Sequence, residues 1–588
     1  MYKVKLILVR AGDILWQGGK SMPLDGLHIA ALVDSLTARV EGSLIQRIQQ
    51  PDHSTVLLTL HRHGVTTRLI ASCDPQFPRI HTTAASHDMP VEPPQFCLVL
   101  RKHLLGGRIV SVSQADDFER VVWITVERGG DLQQGIKRLV CEIMGRHSNI
   151  VLLDEQGMVL DAARRVTPEM STYRTLVPGC RYVPPPPQEK VNPLLCEPRS
   201  LPRSGALKEV LVRNFAGIGP STASMLLKML SIDEKSDLAQ MSQEAREDLC
   251  HALSRACRTV ISAHSPTLLK DAEGRPSEFF AVSVFPGQLY PSMDDLVDAF
   301  FTERRHYQVT ETLRAALKRL VHEAMEKASR RLVAQQSDLA RANEAPRLKS
   351  YGDAILSSMH TIQKGQTRLY WNDFQTGETI EVPLDPALGP TENAQRYFKK
   401  YKKARAAKDE LARQIEKTRL ELAYLEQVDL CLDASENEAE LLDIGQELVE
   451  QGYAKPPRKA RRRKQMGARP ARYLRFTSSD GLPILVGRSN WENDMLFKKA
   501  RPGEIWLHAK DIPGAHVYVK HTGEVPDRTL EEAASLAAYF SRARNSSKVA
   551  VDYTRTQHLS KPPGSRPGML VYRQQRTIMV SPALLPQS

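Results

Sequence analysis

TERRHYQVTETLRAALKRLVHEAMEKASRRLVAQQSDLARANEA, residues 302–345, is the stretch that organises the whole chain. Leu313, Leu317, Leu320, Ala324, Ala328, Leu332 and Leu339 follow one another at steps of three, four or seven, the spacing of one helix face. Charged and amide side chains fill the other positions, so the spacing predicts one long polar helix, with Pro346 as its stop. Asp409 to Val428 answers it, with Leu411, Ile415, Leu422 and Leu425 at heptad positions. Between the two, Arg368–Asn372 and Thr379–Leu384 are predicted to form a hairpin turning at Gln375-Thr376-Gly377. Two antiparallel helices with a small tip predict a coiled-coil arm over 301–435, the tip at about 350–400. An arm is a lever or a spacer and offers no place for catalysis.

Outward from the arm, the N-terminal side is α+β. Leu24 to Val40 has apolar residues at helical spacing, and Ser54–Leu60, Gly107–Val112 and Arg120–Val126 alternate as antiparallel strands. The four prolines Pro184 to Pro187 close this unit, expected over 22–200. Residues 201–300 are expected to be mainly helical, with Phe215-Ala-Gly-Ile-Gly-Pro220 between two helices. That is a helix-hairpin-helix pattern, whose backbone N–H groups either hold a nucleic-acid phosphate or merely make a tight turn. Residues 1–21 stand apart from the rest of the chain. Gly18-Gly-Lys-Ser21 lacks the first glycine of a phosphate loop, since Ile14 stands in its place. Codons for Gly18-Gly-Lys20 can spell a ribosome-binding site, so translation is expected to begin at Met22.

The chain has 588 residues, 41% hydrophobic and 25% charged, which excludes wholly disordered and collagen-like proteins. With 81 Lys and Arg against 68 Asp and Glu the net charge is +13, pointing to polyanionic partners. The excess is localised. Lys455 to Ser588 holds 25 basic and 10 acidic residues, a net +15, leaving −2 for the rest. The eight cysteines show no CxxC spacing and no zinc pattern, so buried free thiols, no metal and no cofactor are expected. No apolar run has the length of a signal sequence or a membrane span, so a cytoplasmic protein without membrane contact is expected.

Lys455 to Arg472, overlapping an expected linker at 436–470, has nine basic residues and no acid; Arg461, Arg462, Arg463 and Lys464 are its centre. Either a solvated linker or an RNA-backbone contact explains such a run. Residues 471–588 are read as an α/β domain, with strands at Arg472–Phe476, Pro483–Gly487, Ile505–His508 and Ala515–Lys520 and a helix at Thr529–Arg544. Between Ser541 and Val580, eight Lys and Arg face one acid, Asp552, with Tyr553, His558 and Tyr572 among them. Cations mixed with flat rings suit folded RNA.

Several longer motifs resemble those of one family. Met22-Pro-Leu-Asp-Gly-Leu27, Pro93-Pro-Gln-Phe-Cys-Leu-Val-Leu-Arg-Lys-His103 and Glu142-Ile-Met-Gly-Arg-His-Ser-Asn149 resemble the N-terminal domain of the NFACT family. Leu384-Asp-Pro386 and Asn393-Ala-Gln-Arg-Tyr-Phe-Lys-Lys-Tyr401 are similar to its coiled-coil tip. Gly487-Arg-Ser-Asn-Trp-Glu-Asn-Asp494, Ile505-Trp-Leu-His-Ala-Lys-Asp-Ile-Pro-Gly514 and Ala543-Arg-Asn-Ser-Ser547 resemble its RNA-associated domain.

The resemblance implies an RNA-binding scaffold rather than an enzyme. Its partners would be a large ribosomal subunit blocked by peptidyl-tRNA, alanine tRNA, and a small RNA-binding quality-control protein. It would support template-free alanine tailing of the stalled chain, with the ribosome forming the bonds. In the family an Asp near the start and an Asp-Arg pair bind tRNA. The first matches Asp25, and the pair falls on Glu119-Arg120 after a turn one residue longer, with Arg101, Lys102 and His103 marked by their own motif. Asp25 also reads as a plain helix N-cap. The C-terminal motifs and basic stretches are expected to bind RNA through Arg488, Lys510, Arg542, Arg544 and Asn545 beside Arg461–Lys464. The N-terminal domain is also similar to formamidopyrimidine-DNA glycosylases, but Pro23 lacks the acidic neighbour their proline nucleophile needs. That rival, and a surface adhesin needing export, are the alternatives.

Overall fold

The computed structural model describes residues 24–129, 135–372, 377–455 and 473–586. The expected start at Met22, part of the Gln375–Gly377 turn and the Arg461–Lys464 run lie outside the described residues. The chain divides into a unit ending at Gln308 and another beginning at Val309.

In the first unit α1 (Gly26–Val40) buries Leu27, Ile29, Leu32, Leu36 and Val40. Nine strands follow: β1 (Leu44–Asp52), β2 (Thr55–Arg62), β3 (Val65–Ser72), β4 (Arg79–Thr82), β5 (Arg108–Gln114), β6 (Val121–Arg128), β7 (Gly135–Glu142), β8 (Asn149–Leu153) and β9 (Val159–Ala162). They form one antiparallel sheet in the order β4-β3-β2-β1-β5-β6-β7-β8-β9, with α2 (Gln95–Leu104) between β4 and β5 in the chain. On β6 the period of two is plain. Val122, Ile124 and Val126 enter the main core, while Val121 joins Val140 and Val151 on the other face.

The helices α3 (Leu207–Asn214), α4 (Pro220–Met229) and α5 (Gln243–Ser262) add Leu207, Leu226 and Leu253 to the core that α1 fills. A small sheet of β10 (Thr267–Lys270), β11 (Pro276–Phe280) and β12 (Gln288–Leu289) precedes α6 (Met293–Ala342), whose Met293, Leu296, Val297 and Phe300 close the same core. Two of the eight cysteines depart from the expectation of free thiols, while the other six are free. Cys196, between two short 3-10 turns, meets Cys250 of α5 at a Cα separation of 5.1 Å, and the two form a disulfide. Residues 54 positions apart carry no local signal of such a pairing.

In the second unit α6 runs against α8 (Pro390–Ala434) in the opposite sense. Arg314 Nε donates to the Leu432 carbonyl at 3.1 Å, Lys318 pairs with Asp433, and further along Arg331 pairs with Glu421 and Thr418 Oγ1 donates to Gln335 Oε1 at 2.9 Å. The long helix stops at Ala342, just ahead of Pro346. That proline lies in the first turn of α7 (Ala345–Ser357), where its missing N–H costs nothing. Then β13 (Arg368–Asn372) and β14 (Thr379–Pro383) pair antiparallel, Leu369 opposite Val382. The span expected as linker opens instead with α9 (Glu438–Glu450), whose Leu441, Ile444 and Leu448 pack with Leu317, Val321, Leu425 and Val428.

Beyond it lie β15 (Leu474–Thr477), β16 (Pro483–Val486), α10 (Asn490–Lys499), β17 (Ile505–Ala509), β18 (Val517–Val519), α11 (Asp527–Tyr539), β19 (Val549–Arg555), the short pair β20 (Leu559–Ser560) and β21 (Val571–Tyr572), and β22 (Arg576–Val580). The α/β expectation is corrected here. The sheet β15-β16-β18-β17-β19-β22 pairs antiparallel throughout, which makes this domain α+β. Short connections join β15 to β16 and β17 to β18, while α10 and α11 lie in the longer connections between β16 and β17 and between β18 and β19.

Candidate nucleic-acid interface

Three distant segments meet at the head of α1. Asp25 has extended backbone and caps the helix, its Oδ1 accepting from the His28 N–H at 3.1 Å. Its Oδ2 accepts from the Gly219 N–H at 2.7 Å, in the turn between α3 and α4. The His28 ring Nδ1 lies 3.1 Å from the Asp25 carboxylate and 3.2 Å from Thr222 Oγ1. With its side chain 13% exposed, burial pushes the Asp25 carboxyl up; the charge and hydrogen bonds of His28, with that of Thr222, outweigh burial and hold it below 3.8.

The third segment is the turn from β5 to β6. Asp117 and Phe118 both adopt positive φ, 52° and 53°, and this left-handed pair closes the turn. The turn presses on α1 so closely that a Cβ on Gly26 would stand 2.0 Å from the Phe118 carbonyl oxygen. Gly217 (φ +75°) completes the wedge, its carbonyl accepting from the Leu27 N–H at 3.0 Å. Gln114 Nε2 donates to both the Gly26 and Glu119 carbonyls at 2.9 Å. The helix-hairpin-helix amide that could have met a phosphate, Gly219 N–H, is therefore taken by Asp25.

Arg120 emerges from this junction. Its carbonyl accepts from the Ile143 N–H at 2.8 Å, beside Glu142, which is buried under a forked pair of hydrogen bonds from Arg174 at 2.5 and 2.7 Å. The Arg120 guanidinium is half-buried and makes no hydrogen bond or ion pair among the described residues. Burial lowers it from its ordinary value, while Asp25 and Glu119 pull the other way. Glu119 is tied to Gln188, whose Nε2 donates to its Oε2 at 3.2 Å.

Sequence reading missed Lys190. Its Nζ donates to the Val212 carbonyl at 2.9 Å, and its ammonium is lowered first by burial and then by Arg120. Two cations thus share the field of Glu119, an arrangement suited to receiving an anionic oxygen at the Arg120 fork. Only the three-dimensional path of 188–191 past the junction reveals it.

Arg101 and Lys102 do not belong to this place. Arg101 Nε donates to the Ile48 carbonyl at 2.9 Å, and the Lys102 carbonyl accepts from Arg128, at the far end of β6. An eight-residue strand puts that end about 25 Å from Arg120. There Lys102, Lys137 and Arg128 lower His103, after burial, and mark a separate cationic patch.

The C-terminal expectations divide sharply. Arg488, expected to face RNA, is drawn into the fold: it is 14% exposed and pairs with Glu440 of α9 at 2.8 Å and with Glu436 at 3.7 Å. An arginine committed to two carboxylates is a clamp between α9 and the start of α10. Lys510, Arg542, Arg544 and Asn545 are exposed. The Lys510 N–H reaches the Ala550 carbonyl at 2.9 Å and the Arg542 N–H the Pro513 carbonyl at 3.0 Å, so they share one edge of the domain. Arg544 lies 4.0 Å from the centroid of the Tyr539 ring. Tyr572 is not an open stacking platform. Its ring packs 4.8 Å from Trp506, and its hydroxyl donates to buried Asp552 at 3.1 Å.

Among the described residues no helix is long and apolar enough to cross a membrane. Residues 25–466 match the NFACT N-terminal and middle domains, and residues 472–572 match the NFACT protein RNA binding domain. The chain therefore belongs to the NFACT family. Within it, the chain is similar to the Rqc2 homolog RqcH of Streptococcus suis, 33% identical over 95% of this chain and 98% of that one. It is also similar to the Rqc2 homolog RqcH of Bacillus subtilis, 31% identical with the same shares covered. Among solved structures, the C-terminal part of the fibronectin/fibrinogen-binding protein from Streptococcus suis is 34% identical over 47% of this chain and 96% of that chain, with a TM-score of 0.36.

Proposed function

We propose that this protein is a ribosome quality control factor that binds large ribosomal subunits still obstructed by peptidyl-tRNA. It recruits alanine-charged tRNA and promotes template-free alanine tailing of the stalled chain, the ribosome making the peptide bonds. The observation that carries this reading is the similarity to RqcH proteins along 95% of the chain, including a match to the family's RNA-binding domain. In this reading residues 22–200 and 201–300 form the tRNA-facing part and 301–435 the coiled-coil arm. Residues 471–588, with Arg461–Lys464, hold the subunit.

Arg120 is the tRNA contact, with Glu119 and Lys190 setting its field. Asp25, whose carboxylate oxygens are both engaged inside the fold, positions it. Lys102, with Arg101 behind it, offers a second backbone contact. Lys510, Arg542, Arg544 and Asn545 meet rRNA, and a small RNA-binding protein completes the complex.

The test is to capture the tagged chain from its host and sequence the RNA that comes with it. Enrichment of large-subunit rRNA together with alanine tRNA is expected. Capture of neither overturns the reading.

A further inference from the structure

Phe77-Pro-Arg-Ile-His-Thr82 runs into β4, the edge strand of the nine-stranded sheet. Arg79 on this strand is 7% exposed. Its Nη1 donates to the Phe77 carbonyl at 2.8 Å, its Nε is enclosed without a hydrogen-bond partner, and it forms no ion pair among the described residues. The carboxylates whose charge reaches it are turned elsewhere. Asp74 Oδ1 accepts from the Gln76 N–H at 2.8 Å, Asp52 Oδ1 from the Ser54 N–H at 2.8 Å, and Asp298 faces His81 Nδ1 at 3.5 Å.

Further cations lie in this part of the fold. Arg304 lies over the rings of Phe300, at 5.3 Å, and Phe77, at 6.0 Å. Arg305 is exposed, and its charge acts on both Arg79 and His87; Arg68 donates to the Ala84 carbonyl nearby. Burial, and then Arg305, bring the Arg79 guanidinium down to about 10. A buried arginine without a carboxylate, next to like charge, is among the most costly things a fold can hold. An enclosed donor without an acceptor adds to that cost.

An anion would remove both costs together. We propose that Arg79, Arg304 and Arg305 form a binding site for a phosphate group, filled in the working protein by an RNA backbone phosphate. Guanidinium forks match the oxygens and charge of a phosphate. The rings offer no stacking face for a base: Phe301 is covered by Arg79, with its Cζ at 5.4 Å, and by the nearly parallel His81 ring at 6.1 Å, while Phe77 lies under Arg304. Binding here is therefore independent of sequence. Five inter-strand spacings separate β4 from β6, about 24 Å along the sheet, so this contact is distinct from the one at Arg120. The choice of RNA as the source of the phosphate rests on the function proposed above; the site itself does not.

The test uses the full chain and two ligands, RNA and inorganic phosphate. Arg305→Ala and Arg305→Glu alter an exposed side chain and leave the fold intact; Arg79→Lys keeps the charge and removes the fork. Affinity for large subunits and for tRNA is measured against salt, and the Tm is followed with millimolar inorganic phosphate. For Arg305→Ala the slope of log affinity against log salt should fall by about 0.7 to 0.9 with at least one RNA, with a deeper loss of affinity for Arg305→Glu. Inorganic phosphate should raise the Tm of the wild type and not that of Arg305→Glu or Arg79→Lys. A Tm response without any change of slope keeps the site and overturns RNA as its source. The absence of both responses overturns the site. A wild-type chain that captures no RNA at all refutes the functional reading instead, and the phosphate titration still decides this one.

Discussion

The Asp25–Arg120 junction and the Lys510–Arg544 edge both present cations, yet they are built in opposite ways. At the junction, segments some 90 and 190 residues apart along the chain are wired together, and Asp25 and Gln114 spend their hydrogen bonds inside the fold. Arg120 is held half-buried, its fork unspent among the described residues. At the edge, the charged groups stand in water on backbone fixed by two short connections. The first arrangement restricts where an anion can sit; the second offers charge with little restriction. A site that selects one incoming tRNA needs the former, and a surface that grips a large RNA by many phosphates can use the latter.

Arg488 tests the division most severely, because its neighbours in sequence suggest the edge and its partners make it a clamp. Arg488→Ala should cost about 3 kcal/mol by leaving Glu440 without its partner. Hydrogen exchange in α9 should rise while the salt slope of subunit binding stays as in the wild type. A flattened slope with unchanged exchange would move Arg488 to the RNA edge.

Gly26→Ala attacks the junction without touching a charge. The added Cβ must displace the Phe118 carbonyl, 2.0 Å away, at a cost of about 1 to 3 kcal/mol. Loss of tRNA with retained subunit binding is expected, and normal tRNA recruitment would show that the wedge does not position Arg120.

Arg120→Ala leaves the wedge intact and removes the fork. It should cost about 1 to 3 kcal/mol at that contact, roughly 5- to 150-fold in affinity. Large subunits should still co-sediment, and mass spectrometry of a stalled reporter should find no alanine tail. Wild-type tails would remove Arg120 from the tRNA site.

Asp25→Asn produces a smaller effect that depends on pH. The carboxyl is held below its ordinary 3.8 in the fold, so its stabilisation is complete above that value and disappears as pH falls through the lowered one. As pH falls from 3.8 through the lowered value the wild type should therefore lose more stability than Asp25→Asn, by about 1 kcal/mol, the scale of an N-cap. Parallel melting curves would contradict the wiring described.

Lys510→Ala, Arg542→Ala and Arg544→Ala together should barely change stability, each by less than about 0.5 kcal/mol. The salt slope of subunit binding should flatten by roughly 0.7 to 0.9 for every phosphate that loses its cation. An unchanged slope would leave the edge a merely soluble surface.

Much of this was legible because it is local. The three-, four- and seven-residue steps from Leu313 to Leu339 mark a helix, and Thr379–Pro383 follows its strand reading closely. Asp25 could be recognised as a cap from its place before Gly26-Leu27. The runs of cations that stand exposed at Lys510, Arg542 and Arg544 were equally visible, since an exposed charge keeps its character whatever surrounds it.

The chain's periodicities, caps, charge asymmetry and family motifs were thus determined by the sequence alone. Tertiary structure decided which of the marked residues are spent. Asp25 meets Gly219, Cys196 meets Cys250 and Arg488 meets Glu440, each across tens to nearly two hundred residues. Among the described residues Arg79 is left buried without an ion pair, and Lys190 comes under the influence of Arg120. Periodicity reports only what neighbours along the chain share, whereas the state of a buried charge depends on the partners that folding brings to it.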